Sequence, residues 1–341
     1  MNTHVNSVNG SIPIAALGKT LMHEHLLIGL PGWEGDTLLT HRTRAELVAR
    51  CVDLVQELQA NGFRTLLDPC PNDLGRDLDL MGEVASRTGF QILFAVGLYD
   101  EFLAGPYWRA KAARDPDAVG YLTDMYVREI ERGVADGGCK PAVIKVATGP
   151  RPFSPFESVA LRAAAQASAA TGVPITTHTA GVDGDHQLQI LKAHGLASHR
   201  VVVGHCCGSN DPDYHQSICK LGGYIGFDRF GLPQFNSDEN RITGLVNLLA
   251  KGYAEHVIIS HDCVFNMRGA LIGREDVPPI MTPMHFSRTI VPQLVSRGVA
   301  QDAVEALLTD NPRRYFAAAP PRRVAPPPTT ANRPQSSGSA R

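Results

Sequence analysis

A closed (β/α)8 barrel is the fold this sequence predicts, and three observations predict it. Short apolar runs of strand length alternate with longer helix-like segments along most of the 341 residues. The count reaches eight units over roughly 250 residues, the usual size of such a barrel. No Gly-rich phosphate loop follows the first strand, which sets aside the open doubly wound sheet as the rival.

The first run is Thr20-Leu21-Met22-His23-Glu24-His25-Leu26-Leu27-Ile28. A helix over 44–61, closed by Gly62, leads to Arg64-Thr65-Leu66-Leu67-Asp68-Pro69. A helix over 78–88 leads to Gln91-Ile92-Leu93-Phe94-Ala95-Val96-Gly97, and another over 119–133 to Ala142-Val143-Ile144-Lys145-Val146. The Ala-rich helix 156–170 ends at Thr171-Gly172 and gives way to Val173-Pro174-Ile175-Thr176-Thr177-His178. A helix over 185–194 precedes Arg200-Val201-Val202-Val203-Gly204-His205. The seventh unit carries Gly223-Tyr224-Ile225-Gly226-Phe227-Asp228. After a helix over 240–251, the eighth reads His256-Val257-Ile258-Ile259-Ser260-His261-Asp262. Strands joined by helices pair in parallel through right-handed crossovers. Residues 1–316 form one barrel domain on this reading. Residues 317–341, rich in Pro, Ala and Ser and lacking apolar periodicity, are expected to be a disordered tail.

Composition narrows the function classes. With 43% hydrophobic and 19% charged residues a large core is affordable. A formal net charge of −2 leaves no electrostatic footprint for nucleic acid or an anionic membrane. No apolar stretch has the length of a membrane span, and the first residues show no basic and apolar leader pattern. Seven Cys without a Cys-x-x-Cys fit free thiols in a reducing cytoplasm better than a disulfide framework.

In barrels of this kind chemistry gathers at the C-terminal ends of the strands. Those ends carry His23 and His25, then Lys145, His178, His205 and Asp262. On a strand, His23 and His25 point one way and Glu24 the other. Neutral imidazole and carboxylate are ligands for a divalent cation. Each residue alone has an ordinary explanation: a core histidine for His178 or His205, a salt bridge for Lys145. Together they would strand many polar groups in one barrel mouth. Ammonium has no lone pair, so Lys145 must first lose its proton, which burial promotes. The neutral amine can add carbon dioxide, and the resulting carbamate can bridge two metals. The alternative is one metal with Lys145 as a spectator cation. Cys206 and Cys207 offer sulfur to zinc, but two adjacent strand-end residues cannot both face the mouth, and structural thiols are the preferred reading.

Gly18-Lys19-Thr20-Leu21-Met22-His23-Glu24-His25, Ile144-Lys145-Val146-Ala147-Thr148-Gly149, Thr176-Thr177-His178-Thr179, Val203-Gly204-His205 and Ser260-His261-Asp262 resemble the motif set of the phosphotriesterase family of the amidohydrolase superfamily. Gly75-Arg76-Asp77 and Asp310-Asn311-Pro312-Arg313-Arg314 extend the resemblance from about residue 8 to residue 316. The resemblance implies a binuclear centre with one metal on His23, His25 and Asp262 and the other on His178 and His205. Carboxylated Lys145 and a hydroxide would bridge them. It also implies a homodimer, and zinc as the first choice of metal with manganese, cobalt and iron as alternatives. Gly97-Leu98-Tyr99 and Gly226-Phe227-Asp228-Arg229-Phe230 look like segments of the phosphotriesterase-like lactonases, giving Tyr99 a place beside the hydroxide and Arg229 a place near the substrate. Core packing is the other reading of Tyr99, and a salt bridge to a loop carboxylate that of Arg229.

The implied reaction is hydrolysis of a lactone or carboxylic ester by a hydroxide made available near neutral pH, with Asp262 as general base. An organophosphate triester is the alternative substrate. A mononuclear deaminase and a non-catalytic metal-binding barrel are more distant readings. A small hydrophobic substrate would be lined by the loop 263–282 with Phe265, Met267 and Ile272, by Phe102, Tyr107 and Trp108, and by Trp33. One departure from the family pattern stands out. The Asp expected three residues after His205, as a proton acceptor outward of Asp262, is Gly208. Asp211 is the nearest substitute.

Overall fold

The computed structural model describes residues 2–270 and 282–324. Eight parallel strands pair in chain order: β1 (Lys19–Leu21), β2 (Phe63–Asp68), β3 (Gln91–Gly97), β4 (Val143–Ala147), β5 (Ile175–His178), β6 (Val201–Val203), β7 (Tyr224–Phe227) and β8 (Val257–Ile259). The helices that follow them are α1 (Arg44–Ala60), α2 (Leu78–Thr88), α3 (Ala118–Arg132), α4 (Pro155–Thr171), α5 (Gly184–Ala193), α6 (Pro212–Lys220), α7 (Asp238–Ala250) and α8 (Gln301–Phe316). This is the expected (β/α)8 barrel. Its ring closes at the mouth, where short segments beyond β1 and β8 pair in parallel: Glu24 with Cys263, His25 with Val264, Met267 with Ile28.

Local chemistry starts and stops the helices where the sequence suggests. Thr43 and Glu46 form a reciprocal capping box on α1, and Ser154 and Glu157 form another on α4. Gly89 and Gly172 end α2 and α4 in the left-handed conformation glycine adopts without penalty.

Period-two alternation divides each strand between two cores. On β3, Ile92, Phe94 and Val96 join the layer under the helices, while Leu93 and Ala95 face the barrel interior. The interior apolar cluster includes Leu17, Leu67, Val143, Val202, Tyr224, Ile258 and Tyr315. It fills the barrel below the mouth. All five residues of β4 are buried, as both faces of a parallel strand should be. Lys145 therefore shares the interior face with Val143, one step nearer the mouth. Gly97 is required beside it, since a Cβ there would overlap the Lys145 carbonyl.

The first run differs from expectation. β1 stops at Leu21, the chain bends through Met22 and His23, and Glu24–His25 forms a separate short segment. An N-terminal hairpin (His4–Ser7 with Gly10–Pro13), which the apolar-run reading passes over, lies against the interior cluster through Val5 and Ile12. Its signal is Asn9-Gly10, a dipeptide suited to tight hairpins. Tyr107 and Trp108 lie on an additional helix (Pro106–Arg114). Residues 317–324, grouped with the tail by composition, hydrogen-bond to the barrel: Tyr224 Oη donates to the Ala319 carbonyl at 2.9 Å and the Val324 amide to Gly252 at 2.9 Å. The rest of that tail, 325–341, lies outside the described residues, as does Ile272. Among the described residues no helix is long and apolar enough to cross a membrane.

Candidate metal centre

The bend after β1 turns His23 and His25 toward each other, with ring centroids 5.4 Å apart. Both Nε2 atoms face one oxygen of Asp262: His25 at 3.3 Å and His23 at 3.6 Å from Oδ1. The other oxygen, Oδ2, accepts a 2.8 Å hydrogen bond from Arg229 Nε and lies 3.8 Å from His205 Nε2. Lys145 Nζ is 3.3 Å from His23 Nε2. The His205 ring stands 4.7 Å from that of His23 and 4.5 Å from that of His178. All six sequence-predicted donors thus meet in one buried mouth.

Two of them are held in an unusual way. His205 and Asp262 sit just past β6 and β8 with φ of 63° and 55°. Left-handed backbone is uncommon for residues other than glycine and carries a cost of order 1–3 kcal/mol unless its surroundings hold it. Here they do. Asp228 accepts from the His205 amide at 2.9 Å, and the Asp262 amide donates to the His23 carbonyl at 3.0 Å. His205 and Asp262 are turn residues, so the mouth is deeper than strand ends alone would make it.

Carboxylates that strand-end reasoning did not weigh as site residues stand behind the imidazoles. Asp68 Oδ1 is 3.2 Å from His25 Nδ1, and Asp228 Oδ1 is 3.0 Å from His205 Nδ1. Asp68 ends β2 and Asp228 directly follows β7, so the rule that singled out His178 applies to them too. Glu24 faces away from the mouth as expected. Its carboxylate accepts from Ser260 Oγ, from the amides of His261 and Cys263, and pairs with His261 Nδ1 at 2.7 Å. Glu24 thereby sews β1 to β8. Asp73, unweighed in the sequence, accepts the Tyr99 amide at 2.9 Å.

Electrostatics prepare the donors for a cation. Burial lowers His23 to about 3, helped by the charge of Lys145. Burial also lowers His178 and His205, so these imidazoles are neutral near pH 7 and keep a free lone pair. His25 is the exception: burial opposes its proton, but the hydrogen bonds to Asp262 and Asp68 hold it well above the ordinary value. Against burial, His205 and Arg229 keep Asp262 well below the carboxylate range. Burial brings Lys145 down to about 8, against the pull of Asp262 and Asp228. Near neutrality a useful fraction of its amine is therefore uncharged.

The residues present fit a metal centre. His23, His25 and Asp262 place three donor atoms within 4.8 Å of one another, as do His23, His205 and Asp228. His23 Nδ1 and Asp228 Oδ2 are buried and make no hydrogen bond. The two thiols weighed in the sequence, Cys206 and Cys207, do not compete for the cation. Burial raises Cys207 to about 11 and pushes Cys206 further, and Cys206 Sγ already donates to the Val203 carbonyl.

The remaining expectations divide. Tyr99 Oη is 3.1 Å from His178 Nδ1, and burial keeps the phenol protonated. Arg229 makes the ion pair with Asp262 and lies 4.1 Å over the Phe235 ring. Phe265 is fully buried and cannot line a substrate, whereas Phe102 is 83% exposed. Asp211 cannot replace the missing acceptor, because it is exposed and caps α6 through the Asp213 amide. Gly208 packs on Gly181, and a Cβ at 208 would lie 3.2 Å from the Gly181 Cα.

Comparison with known proteins places this geometry. A profile described as the phosphotriesterase family matches residues 3–316. A phosphotriesterase homology protein of Mycobacterium tuberculosis is 34% identical, with 92% of this chain and 97% of that one covered. An aryldialkylphosphatase of Saccharolobus solfataricus is 27% identical over 90% of this chain and 97% of its own. The solved structure of an organophosphorus hydrolase from Deinococcus radiodurans superposes with a TM-score of 0.86 at 34% identity, covering 92% of this chain and 97% of that one. A mutant of a PTE-like lactonase from the same organism gives 0.85 at 34% identity, with coverage of 92% and 99%. Fold and mouth together define a class, a hydrolase barrel with a His and carboxylate donor cluster at its open end. Within that class the chain belongs to the phosphotriesterase family.

Proposed function

We propose that this chain hydrolyses lactones or carboxylic esters at a two-metal mouth. His23, His25 and Asp262 would hold one divalent ion and His178 and His205 the other, with Lys145 joining them as its carbamate. The observation that carries the reading is the buried Lys145 amine, 3.3 Å from His23 and lowered to about 8 from an ordinary 10.5, so that about a tenth of it is neutral at pH 7 and open to carbon dioxide. When bound, the ions would supply a nucleophilic hydroxide near neutral pH and polarise the scissile carbonyl, with zinc the first choice and manganese, cobalt or iron as alternatives.

The chain's own residues do the rest. Arg229 fixes Oδ2 of Asp262 and so turns Oδ1 toward His23 and His25, and the Asp262 carboxylate serves as the general base. Tyr99, kept protonated, donates a hydrogen bond to the substrate oxygen that enters beside His178. Phe235, half exposed against Arg229, offers an apolar wall for a hydrophobic acyl group. The exposed Leu38, Phe102 and Tyr107 suit burial against a second copy in a homodimer. The cysteines of the described residues form no disulfide, which suits the cytoplasm.

Organophosphate triester hydrolysis is the second reading, favoured by the names of the Saccharolobus relative and the Deinococcus structure. One panel separates the two: rates on acyl-homoserine lactones, γ- and δ-lactones, aryl esters and paraoxon. Lactones or esters should turn over fastest. Triester turnover above all of them would reverse the ranking. Metal analysis should return two divalent ions per chain, and one tightly held ion with unmodified Lys145 would defeat the binuclear reading.

A further inference from the structure

Two buried polar atoms at the mouth make no hydrogen bond, and they face each other. His23 Nδ1 and Asp228 Oδ2 are 3.4 Å apart. The other oxygen of Asp228 is fully engaged, accepting from the His205 amide at 2.9 Å and lying 3.0 Å from His205 Nδ1. One carboxylate, 1% exposed, thus backs an imidazole from each half of the centre. Asp68 is arranged differently. Its Oδ1 meets His25 and its Oδ2 accepts from the Leu26 amide at 2.8 Å, so it supports one half only.

We propose that Asp228 is a positioning residue shared by both metal positions, holding His23 and His205 by their Nδ1–H groups so that both Nε2 lone pairs face the mouth. The proposal rests on the two-metal reading above. A carboxylate behind a ligating histidine sets its tautomer and orientation. His205 already has this support, and a shift of a few tenths of an ångström would complete it for His23. An amide at 228 would remove the negative charge that backs both imidazoles, and its NH2 would face one of the two rings. That ring would then carry its proton on Nε2 and lose the ligating lone pair.

The test compares zinc binding to wild-type protein, Asp68→Asn and Asp228→Asn, with stoichiometry by plasma mass spectrometry and affinity by chromogenic chelator competition. Circular dichroism of the metal-free forms checks folding. Wild-type stoichiometry is read first, and fewer than two ions there defeats the two-metal reading itself. Given two, Asp68→Asn should weaken one position by about 10–100-fold and spare the other, while Asp228→Asn weakens both by that factor. An Asp228→Asn protein weakened at one position, or at neither, overturns the proposal. So does a third wild-type ion lost in that variant, which would make Asp228 a ligand. If Asp228→Asn does not fold, proton NMR of zinc-loaded wild type decides instead. Exchange-protected Nδ1–H resonances from both His23 and His205 support the shared carboxylate, and rapid exchange at His23 overturns it.

Discussion

The interior of this barrel has a lower half and an upper half built from the same strands, and they follow opposite rules. Below, Leu67, Leu93, Val143, Val202 and Ile258 form an apolar plug that buries surface and asks for no partner. Above, one alternation further along β4 and a turn beyond β6 and β8, the side chains are Lys145 and His205, buried as deeply, and Asp262, slightly exposed, all charged or polar. The plug stabilises the fold. The mouth costs stability, with a depressed lysine, two left-handed residues and two unpartnered polar atoms. A two-residue step along β4, from Val143 to Lys145, separates stability from chemistry.

The largest break in that contrast comes from Lys145→Ala. Loss of the lysine should cut kcat/KM by at least about a thousandfold, the several kcal/mol a metal centre contributes to the barrier. Short carboxylic acids added with metal should restore part of the activity. Retention of most activity would mean that Lys145 is a spectator. The matching change in the plug, Leu93→Ala, should do the reverse: about 2–5 kcal/mol less stability by urea unfolding, with zinc stoichiometry unchanged.

pH sharpens the same contrast. In metal-free protein the Lys145 pKa is about 8 against an ordinary value of 10.5. Between those values the unfolded chain binds a proton that the folded chain lacks, so stability rises with pH across the window. The full penalty applies below pH 8 and vanishes above 10.5, a gain of about 3 kcal/mol at most. Lys145→Met should flatten that rise, read as the urea midpoint against pH. Reactivation of metal-free enzyme by zinc at a fixed concentration of dissolved carbon dioxide should quicken about tenfold per pH unit below 8 and level off above it, following the neutral amine.

How much of this was legible in the sequence follows from the same division. The plug was legible because apolar alternation is a property of each strand alone, and the eight runs map onto the eight strands within a few residues. Lys145 and His178 were legible because they lie on strands. His205 and Asp262 were found by residue type, but their left-handed turns were not, since no glycine marks them. Asp68 and Asp228 went unweighed because a carboxylate behind a histidine is a relation between strands distant in sequence. The hairpin and the buried Phe265 were misjudged for a related reason. One is announced only by Asn9-Gly10, and the other sits in a loop whose segment pairs with residues about 240 positions earlier.

Gly208 offers the smallest and most discriminating change. The family pattern expects an acceptor there, yet Arg229 already neutralises the Asp262 oxygen that faces away from His23 and His25. A tight turn holds the position, with the Gly208 amide donating to the His205 carbonyl at 2.9 Å and the Gly181 backbone close by. Gly208→Asp should therefore lower the melting temperature by a few degrees, about 1 kcal/mol for a neighbour displaced by tenths of an ångström. Activity on the best lactone should change by less than about tenfold, because protons that leave Asp262 reach water without a second carboxylate. A gain beyond tenfold would show that the missing carboxylate limits turnover. The ion pair with Arg229 would then be holding Asp262 in place rather than helping it release its proton.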